Sequence, residues 1–193
     1  MPMDVLLLAA GLGTRLRPLT HEIPKALLPL YGTPFLDLHI ERLSASPVVG
    51  LDAGRIVVNG HHLADTLREH LARHPRAERL AFSFEPEILV TGGAVRRAAA
   101  WLHSDPFLIL NADGLFPLPG PAALEHHRRG GFTATMVLAR SPVHPNVLAE
   151  QGRVTAILRD RTDPEGLTYT GCSLLSLSFI DLLPAGGFHD LRD

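Results

Sequence analysis

Three side chains have the types and surroundings to act on a phosphate group: Arg15, Lys25 and Asp113. Arg15 lies in the run Leu8-Ala-Ala-Gly-Leu-Gly-Thr-Arg-Leu-Arg-Pro-Leu-Thr20, and Lys25 in Pro24-Lys-Ala-Leu-Leu-Pro29. Glycines at 11 and 13 allow the backbone N–H groups of a loop from Ala9 and Ala10 through Gly11 and Gly13 to Thr14 to approach phosphate oxygens closely. Arg15 adds a planar fork of donors, and Lys25 a flexible point charge whose neighbour Pro24 restrains the backbone. Asp113 ends Asn111-Ala-Asp113 after a wholly apolar run. A carboxylate in that position, beside phosphates, suits a hard cation such as Mg²⁺. Together these residues describe a triphosphate cradle. The loop is not the dinucleotide fingerprint GxGxxG, because position 16 is leucine, and it has no Gly-Lys-Ser/Thr ending of a Walker loop.

These residues need elements to position them. Val5 to Ala9 reads as a buried strand feeding the glycine loop. Further strands are expected at Arg55 to Asn59, Leu80 to Glu85 and Phe107 to Leu110. Helices are expected at Pro34 to Leu43, His62 to His74 and Gly93 to Leu102. Later in the chain, Ala122 to Arg129 reads as a helix, with strands at Thr133 to Ala139, Val154 to Leu158 and within Thr168 to Leu177. Ser44 to Arg55 and the prolines 117, 119 and 121 read as loop. Strands alternating with helices predict an α/β layered fold with a mostly parallel sheet, whose ligands gather at the carboxyl ends of strands. The Gly11 loop, Glu85 and Asp113 all follow strands, so one cleft can hold all three.

The chain has 193 residues, 46% of them hydrophobic, and a formal net charge of -2. That is enough for one domain with a sizeable core, read as a single unit over 1–193, and it gives no field for wrapping nucleic acid. The N-terminal apolar run is too short to span a membrane and enters a glycine loop directly, so it reads as a strand. Cys172 is the single cysteine. It excludes an internal disulfide, fits a reducing, cytoplasmic compartment and reads as a small buried hydrophobe. The adjacent pairs His61-His62 and His126-His127 diverge on a helix or strand, are poor metal clips, and read as solvated surface. Thr91-Gly92-Gly93 reads as a helix N-cap as well as a ligand contact.

With these motifs assembled, the chain resembles the sugar-1-phosphate nucleotidyltransferases. The resemblance covers nearly the whole chain and is strongest from Leu8 to Pro34. It implies a Rossmann-like three-layer fold with a mostly parallel mixed sheet, triphosphate binding by Arg15 and Lys25, and Mg²⁺ on Asp113. Val58-Asn-Gly-His-His-Leu-Ala64 matches the family's second strand and turn. Glu85-Pro86 and Leu89-Val-Thr-Gly-Gly93 match its base-recognition segment, where Glu85, Gly92 and Gly93 would meet the base, with Asn111 also on the nucleotide. Asn146 and Gly171 fall where the family lines its sugar pocket. Two departures stand out: alanine at 112 where a glycine is usual, and Arg159-Asp160 where many glucose-1-phosphate members carry a Glu-Lys pair. The family's Trp-x-Asp-x-Gly-Thr segment, which supplies a second metal carboxylate, is not in the chain.

Within that family, the pattern NGHH…EPE…TGG most resembles bacterial uridylyltransferases acting on N-acetylmuramic acid 1-phosphate, a step of peptidoglycan recycling. Members that guanylylate mannose 1-phosphate share much of it. The resemblance therefore implies UTP and a sugar 1-phosphate as substrates, with an NDP-sugar and pyrophosphate as products. Short cytidylyl- or guanylyltransferases of the molybdopterin type are an alternative enzyme reading. A catalytically impaired nucleotide-binding domain is an alternative of another class.

Overall fold

The computed structural model describes residues 2–44, 53–115, 118–141, 143–158 and 163–184. Its centre is a six-stranded sheet in the order β5-β4-β1-β6-β10-β7. The strands are β1 (Met3–Leu8), β4 (Ala53–Gly60), β5 (Leu80–Phe84), β6 (Phe107–Asn111), β7 (Ala134–Ala139) and β10 (Thr168–Leu175). The first four of the row run parallel, whereas β10 is antiparallel to both β6 and β7. Two small hairpins complete the strands: β2 (Pro29–Leu30) with β3 (Thr33–Pro34), and β8 (Val147–Glu150) with β9 (Arg153–Ile157). Among the described residues, five α-helices pack around them: α1 (Phe35–Ser44), α2 (Ala64–Arg73), α3 (Val90–Ala98), α4 (Pro121–Gly130) and α5 (Ser178–Leu182).

Alternation along the central strands divides the core into two layers. Val5 and Leu7 of β1 face α1 and α2 with Leu36, Ile40, Leu67 and Leu71, while Leu6 faces α3 with Val95 and Ala98. Each fully buried Leu, Ile or Phe contributes about 1.5–3 kcal/mol relative to exposure. The sheet with helices on both faces is thus the expected three-layer, mostly parallel mixed α/β fold. Asp4 lies buried in β1 because it accepts the backbone N–H groups of Arg55, His103 and Ser104 at 2.6–3.0 Å, closing the sheet's other end. Helix α4 begins on Pro121 and stops at Gly131 (φ 60°), the usual pairing of a proline start and a left-handed glycine stop. Among the described residues, no helix is long and apolar enough to cross a membrane.

The expected strands and helices are found within a few residues, with some differences. Helix α3 begins at Val90, and its N-cap is Leu89 with no side-chain cap. Thr91 therefore sits inside the first turn and is not the cap. Two glycines in that turn mask a helix that is held by burial of Ala94, Val95 and Ala98. Hairpin β2–β3 and strand β8 were not expected, being short and outside the main sheet, whereas β9 matches the strand expected at Val154 to Leu158. Most of the expected 44–55 loop lies outside the described residues, though its last three residues, 53–55, open β4.

Candidate functional site

Strands β4 and β5 lie to one side of β1, and β6 lies to the other. The order reverses at β1, so a crevice opens beyond the carboxyl ends of β1 and β6, where open α/β sheets bind ligands. Leu8 pairs with Asn111 at that edge, and the Ala112 N–H bonds back to the Leu8 carbonyl at 3.1 Å. The glycine loop and Asn111-Ala-Asp113 therefore emerge side by side. They wall a cleft of about 250 Å³ that is also lined by Lys25, Glu85, Val90 and Thr91.

Of the residues singled out in the sequence, Ala9, Ala10, Gly11, Lys25, Glu85, Asn111 and Asp113 meet in this cleft. Gly13, Thr14 and Arg15 form the exposed turn beside it. Gly13 has φ +62°, and a Cβ there would lie 2.7 Å from Thr20 Cγ2 and 3.1 Å from Lys25 Cβ. Glycine is thus required for the loop to pass between Thr20 and Lys25. The Thr20 hydroxyl donates to the Gly13 carbonyl at 2.9 Å and holds that passage. Lys25 Nζ donates to Asp113 Oδ2 at 2.5 Å. Gly92 and Gly93 lie in the first turn of α3, where the cleft-facing residues are instead Val90 and Thr91.

A second cavity of about 610 Å³ lies between the β7–β10 half of the sheet and the β8–β9 hairpin. Asn146 lines it, together with Met136, Val147, Tyr169 and Ser173. Thr91 and Asn111 line both this cavity and the cleft, so the two chambers meet at those side chains. Gly171 (φ +79°) packs on Asn111: a Cβ there would stand 2.9 Å from Asn111 Nδ2. Its place is behind Asn111. Burial pushes the Tyr169 phenol up to about 12, and its hydroxyl bonds Ser173 Oγ at 3.0 Å. Arg159 and Asp160 lie outside the described residues.

Asp113 brings one carboxylate, about half exposed, and Asn111 one amide oxygen to the same rim. That oxygen donor set fits Mg²⁺, which takes one or two carboxylates and fills its octahedron with phosphate oxygens and water. Among the described residues, no group of three or more His, Cys, Asp or Glu could hold a metal ion.

Of the two histidine pairs expected at the solvated surface, only His126 is exposed as expected, whereas His61, His62 and His127 are not. His62 Nε2 bonds the Thr20 carbonyl at 2.7 Å, and His61 Nδ1 bonds the Glu85 carbonyl at 2.9 Å, so both tie loops around the cleft. His127 is buried between Thr135 Oγ1 and Ser176 Oγ. Ser176 donates to the Phe132 carbonyl, so its oxygen accepts from His127 Nε2–H and leaves Nδ1 to accept from Thr135. Cys172 is fully buried, as expected, and burial pushes its thiol up to about 12. Sequence reasoning missed Asn59, a polar residue near the end of an apolar strand, and missed that Thr91 and Asn111 are shared by both chambers.

Comparison with known proteins agrees with this geometry. A UTP–glucose-1-phosphate uridylyltransferase of Synechocystis is 29% identical over 98% of this chain and 53% of its own length. An N-acetylmuramate alpha-1-phosphate uridylyltransferase of Caulobacter vibrioides is 38% identical over 64% of this chain and 51% of its own length. The chain thus spans about half the length of these curated relatives. The crystal structure of HddC from Yersinia pseudotuberculosis superposes with a TM-score of 0.80 at 22% identity, covering 98% of this chain and 83% of that one, which shows the same fold. The family model described as Nucleotidyl transferase matches residues 4–147, and on that match the chain belongs to the nucleotidyl transferase family.

Proposed function

We propose that this chain transfers a nucleotidyl group from a nucleoside triphosphate to a sugar 1-phosphate, with UTP and N-acetylmuramic acid 1-phosphate as the pair. The observation that carries the reading is the junction of two chambers at Thr91 and Asn111. The first chamber carries a glycine loop, Lys25 and Asp113, the equipment for phosphates. The second falls within the size range of small-molecule pockets. Its wall of Met136, Val143, Val147, Ile157 and Phe179 suits the methyl groups of acetamido and lactyl substituents. The Caulobacter relative named for that sugar supports the same pair. The cytoplasm, where nucleoside triphosphates are held, is the compartment for this reaction.

In the mechanism, an anionic oxygen of the sugar phosphate attacks the α-phosphorus in line. The bond from the α-phosphorus to the bridging oxygen breaks, and pyrophosphate leaves with that electron pair. The nucleophile is already an anion, so no general base is required. Lys25 neutralises the α-phosphate and the incoming phosphate, Arg15 holds the departing pyrophosphate, and backbone N–H groups of residues 9–14 orient the chain of phosphates. Asp113, with Asn111 beside it, would hold Mg²⁺, which when bound supplies further neutralisation of phosphate charge. The experiment is a panel of four nucleoside triphosphates against sugar 1-phosphates, read as pyrophosphate release. The expected result is highest kcat/KM with UTP and N-acetylmuramic acid 1-phosphate. Preference for GTP with mannose 1-phosphate would overturn the substrate pair, and release with none would overturn the activity.

A further inference from the structure

Asn59, the penultimate residue of β4, and Glu85, directly after β5, form a buried polar link beneath the cleft. They are 3% and 1% exposed. The Ala9 N–H donates to Asn59 Oδ1 at 2.6 Å, and Asn59 Nδ2 donates to Glu85 Oε1 at 2.6 Å. The Leu89 N–H donates to Glu85 Oε2 at 3.1 Å. The backbone around the pair is also tied. The Glu85 N–H donates to the Gly60 carbonyl at 2.8 Å, and the Glu85 carbonyl meets His61 Nδ1.

The direction of every bond in this link is determined. The groups at its two ends are backbone N–H donors. Asn59 must therefore turn its oxygen to Ala9 and its NH₂ to Glu85. Glu85 must then accept on both oxygens, from Asn59 and from Leu89. Only a carboxylate of this reach does so, because a glutamine amide would set an NH₂ against one of the two donors. Burying a carboxylate costs free energy, and burial pushes the Glu85 carboxyl up from its usual range against the pull of Asn59 and the Leu89 amide. An apolar pair would avoid burying the charge but would leave the Ala9 and Leu89 N–H groups unpaired, so the group's value lies in the two backbone segments it satisfies and joins.

That geometry joins opposite walls of one chamber. Ala9 begins the phosphate loop, and Ala9, Ala10 and Gly11 line one wall. Leu89 is the N-cap of α3, and Ile88, Val90 and Thr91 line the other. We propose that Asn59 and Glu85 are positioning residues that hold the phosphate loop and segment 86–91 at a set separation, so that phosphate binding and base selection act on one nucleotide pose. This inference rests on the nucleotidyl-transfer reading of the cleft. Glu85 acts through Leu89 and leaves the base edge to the backbone of segment 86–91.

The test is a swap of the link's polarity. E85Q alone opposes donor to donor, and N59D alone opposes two carboxylates. In the double variant N59D/E85Q, the new carboxylate at 59 accepts from Ala9 and from the glutamine NH₂ at 85, whose oxygen accepts from Leu89. Every donor is again satisfied. Each single variant is expected to raise the KM for the triphosphate about tenfold with a smaller change in kcat, and to narrow the preference between UTP and GTP. The double variant should recover both, a coupling that a sum of independent defects does not give. Amide exchange gives a readout without turnover: E85Q should speed exchange at Leu89 and, through Asn59, at Ala9. Thermal unfolding identifies variants that fail to fold, in which case the double variant carries the comparison against wild type. Wild-type KM and base preference in folded single variants would overturn the proposal, as would unchanged exchange at Ala9 in E85Q or a double variant no better than either single. Absence of pyrophosphate release by the wild-type chain would overturn the activity alone, and amide exchange would still decide the link.

Discussion

Lys25 Nζ lies 2.5 Å from Asp113 Oδ2 and ties together two segments 88 residues apart in the chain. Both side chains are partly exposed, 23% and 46%, so the pair sits on the cleft wall and not in the core. Its contribution to stability is accordingly small, about 0–1 kcal/mol. Lys25→Ala should leave the unfolding midpoint within a few degrees of wild type. It should lower kcat/KM for transfer by about 10–100-fold, the loss of a charge-assisted phosphate contact. Steady-state kinetics beside thermal unfolding checks both halves of that expectation.

Asp113→Asn keeps the shape at the strand end and removes the negative charge. Triphosphate binding in the presence of Mg²⁺ should weaken, and the Mg²⁺ concentration giving half-maximal binding should rise. Binding in excess EDTA should change little or improve, since a negative group beside the phosphates is gone. Calorimetric titration of UTP at several Mg²⁺ concentrations measures this, and equal loss with and without metal would rule out a metal role for Asp113.

Arg15 stands on an exposed turn next to the cleft. Arg15→Ala should therefore be neutral for folding, within about 0.5 kcal/mol, as surface substitutions usually are. Its effect should fall on the triphosphate and not on the sugar phosphate. A rise in the KM for UTP with an unchanged KM for the sugar 1-phosphate is the expected split.

Gly171→Ala tests the support behind Asn111. The substitution meets a left-handed backbone, φ +79°, and a Cβ 2.9 Å from Asn111 Nδ2. The backbone cost alone is about 1–2 kcal/mol, and the Asn111 side chain must also move. Lower stability together with a raised KM for both substrates is expected, because Asn111 borders both chambers. Gly152→Ala is the control. It shares a positive φ, 76°, but has no atom within 4 Å of the added Cβ, so it should lose stability without the kinetic defect.

Acid should destabilise the fold through its buried histidines. Burial, assisted by the positive charge of Arg42, lowers the His39 pKa from 6.5 to about 4. Burial lowers that of His127 as well. In the unfolded chain these imidazoles take a proton below their ordinary value near 6.5, whereas in the folded chain they resist it. Stability is therefore fully present above pH 6.5 and is lost as pH falls from 6.5 towards 4. For His39 the loss is on the order of 3 kcal/mol. Glu85, whose carboxyl is raised by burial, opposes the trend. Urea denaturation at pH 7 and pH 4.5 measures the difference, and His39→Leu should flatten it.

The parts of this arrangement that could be read in the sequence are those whose chemistry is local. Glycines between an apolar strand and two cations read as a loop suited to phosphate without reference to any other residue, and the loop, Lys25 and Asp113 do meet in one cleft. The apolar runs of β1 and β6 show burial on both faces directly. What escaped detection depends on partners far along the chain. His127 reads as half of an exposed pair until Thr135 and Ser176 are brought to it. Asn59 and Glu85, 26 residues apart, become one device only when β4 and β5 pair. The start of α3 was displaced for a different reason: tertiary burial overrides the poor helix propensity of Gly92 and Gly93.

The two chambers also divide the chain in linear order. The cleft is built from residues 8–113, on the parallel half of the sheet. The second cavity is built from residues 134–179 apart from Thr91 and Asn111. On the proposed reading, donor and acceptor chemistry are thus written in consecutive stretches of the polypeptide, with a single seam after Asp113. A chimera joined at that seam, carrying a relative's later stretch, is accordingly expected to exchange the acceptor while retaining the donor. If the chambers divide the substrates in this way, sugar preference on such a scaffold can diversify with no change to the machinery proposed for the triphosphate.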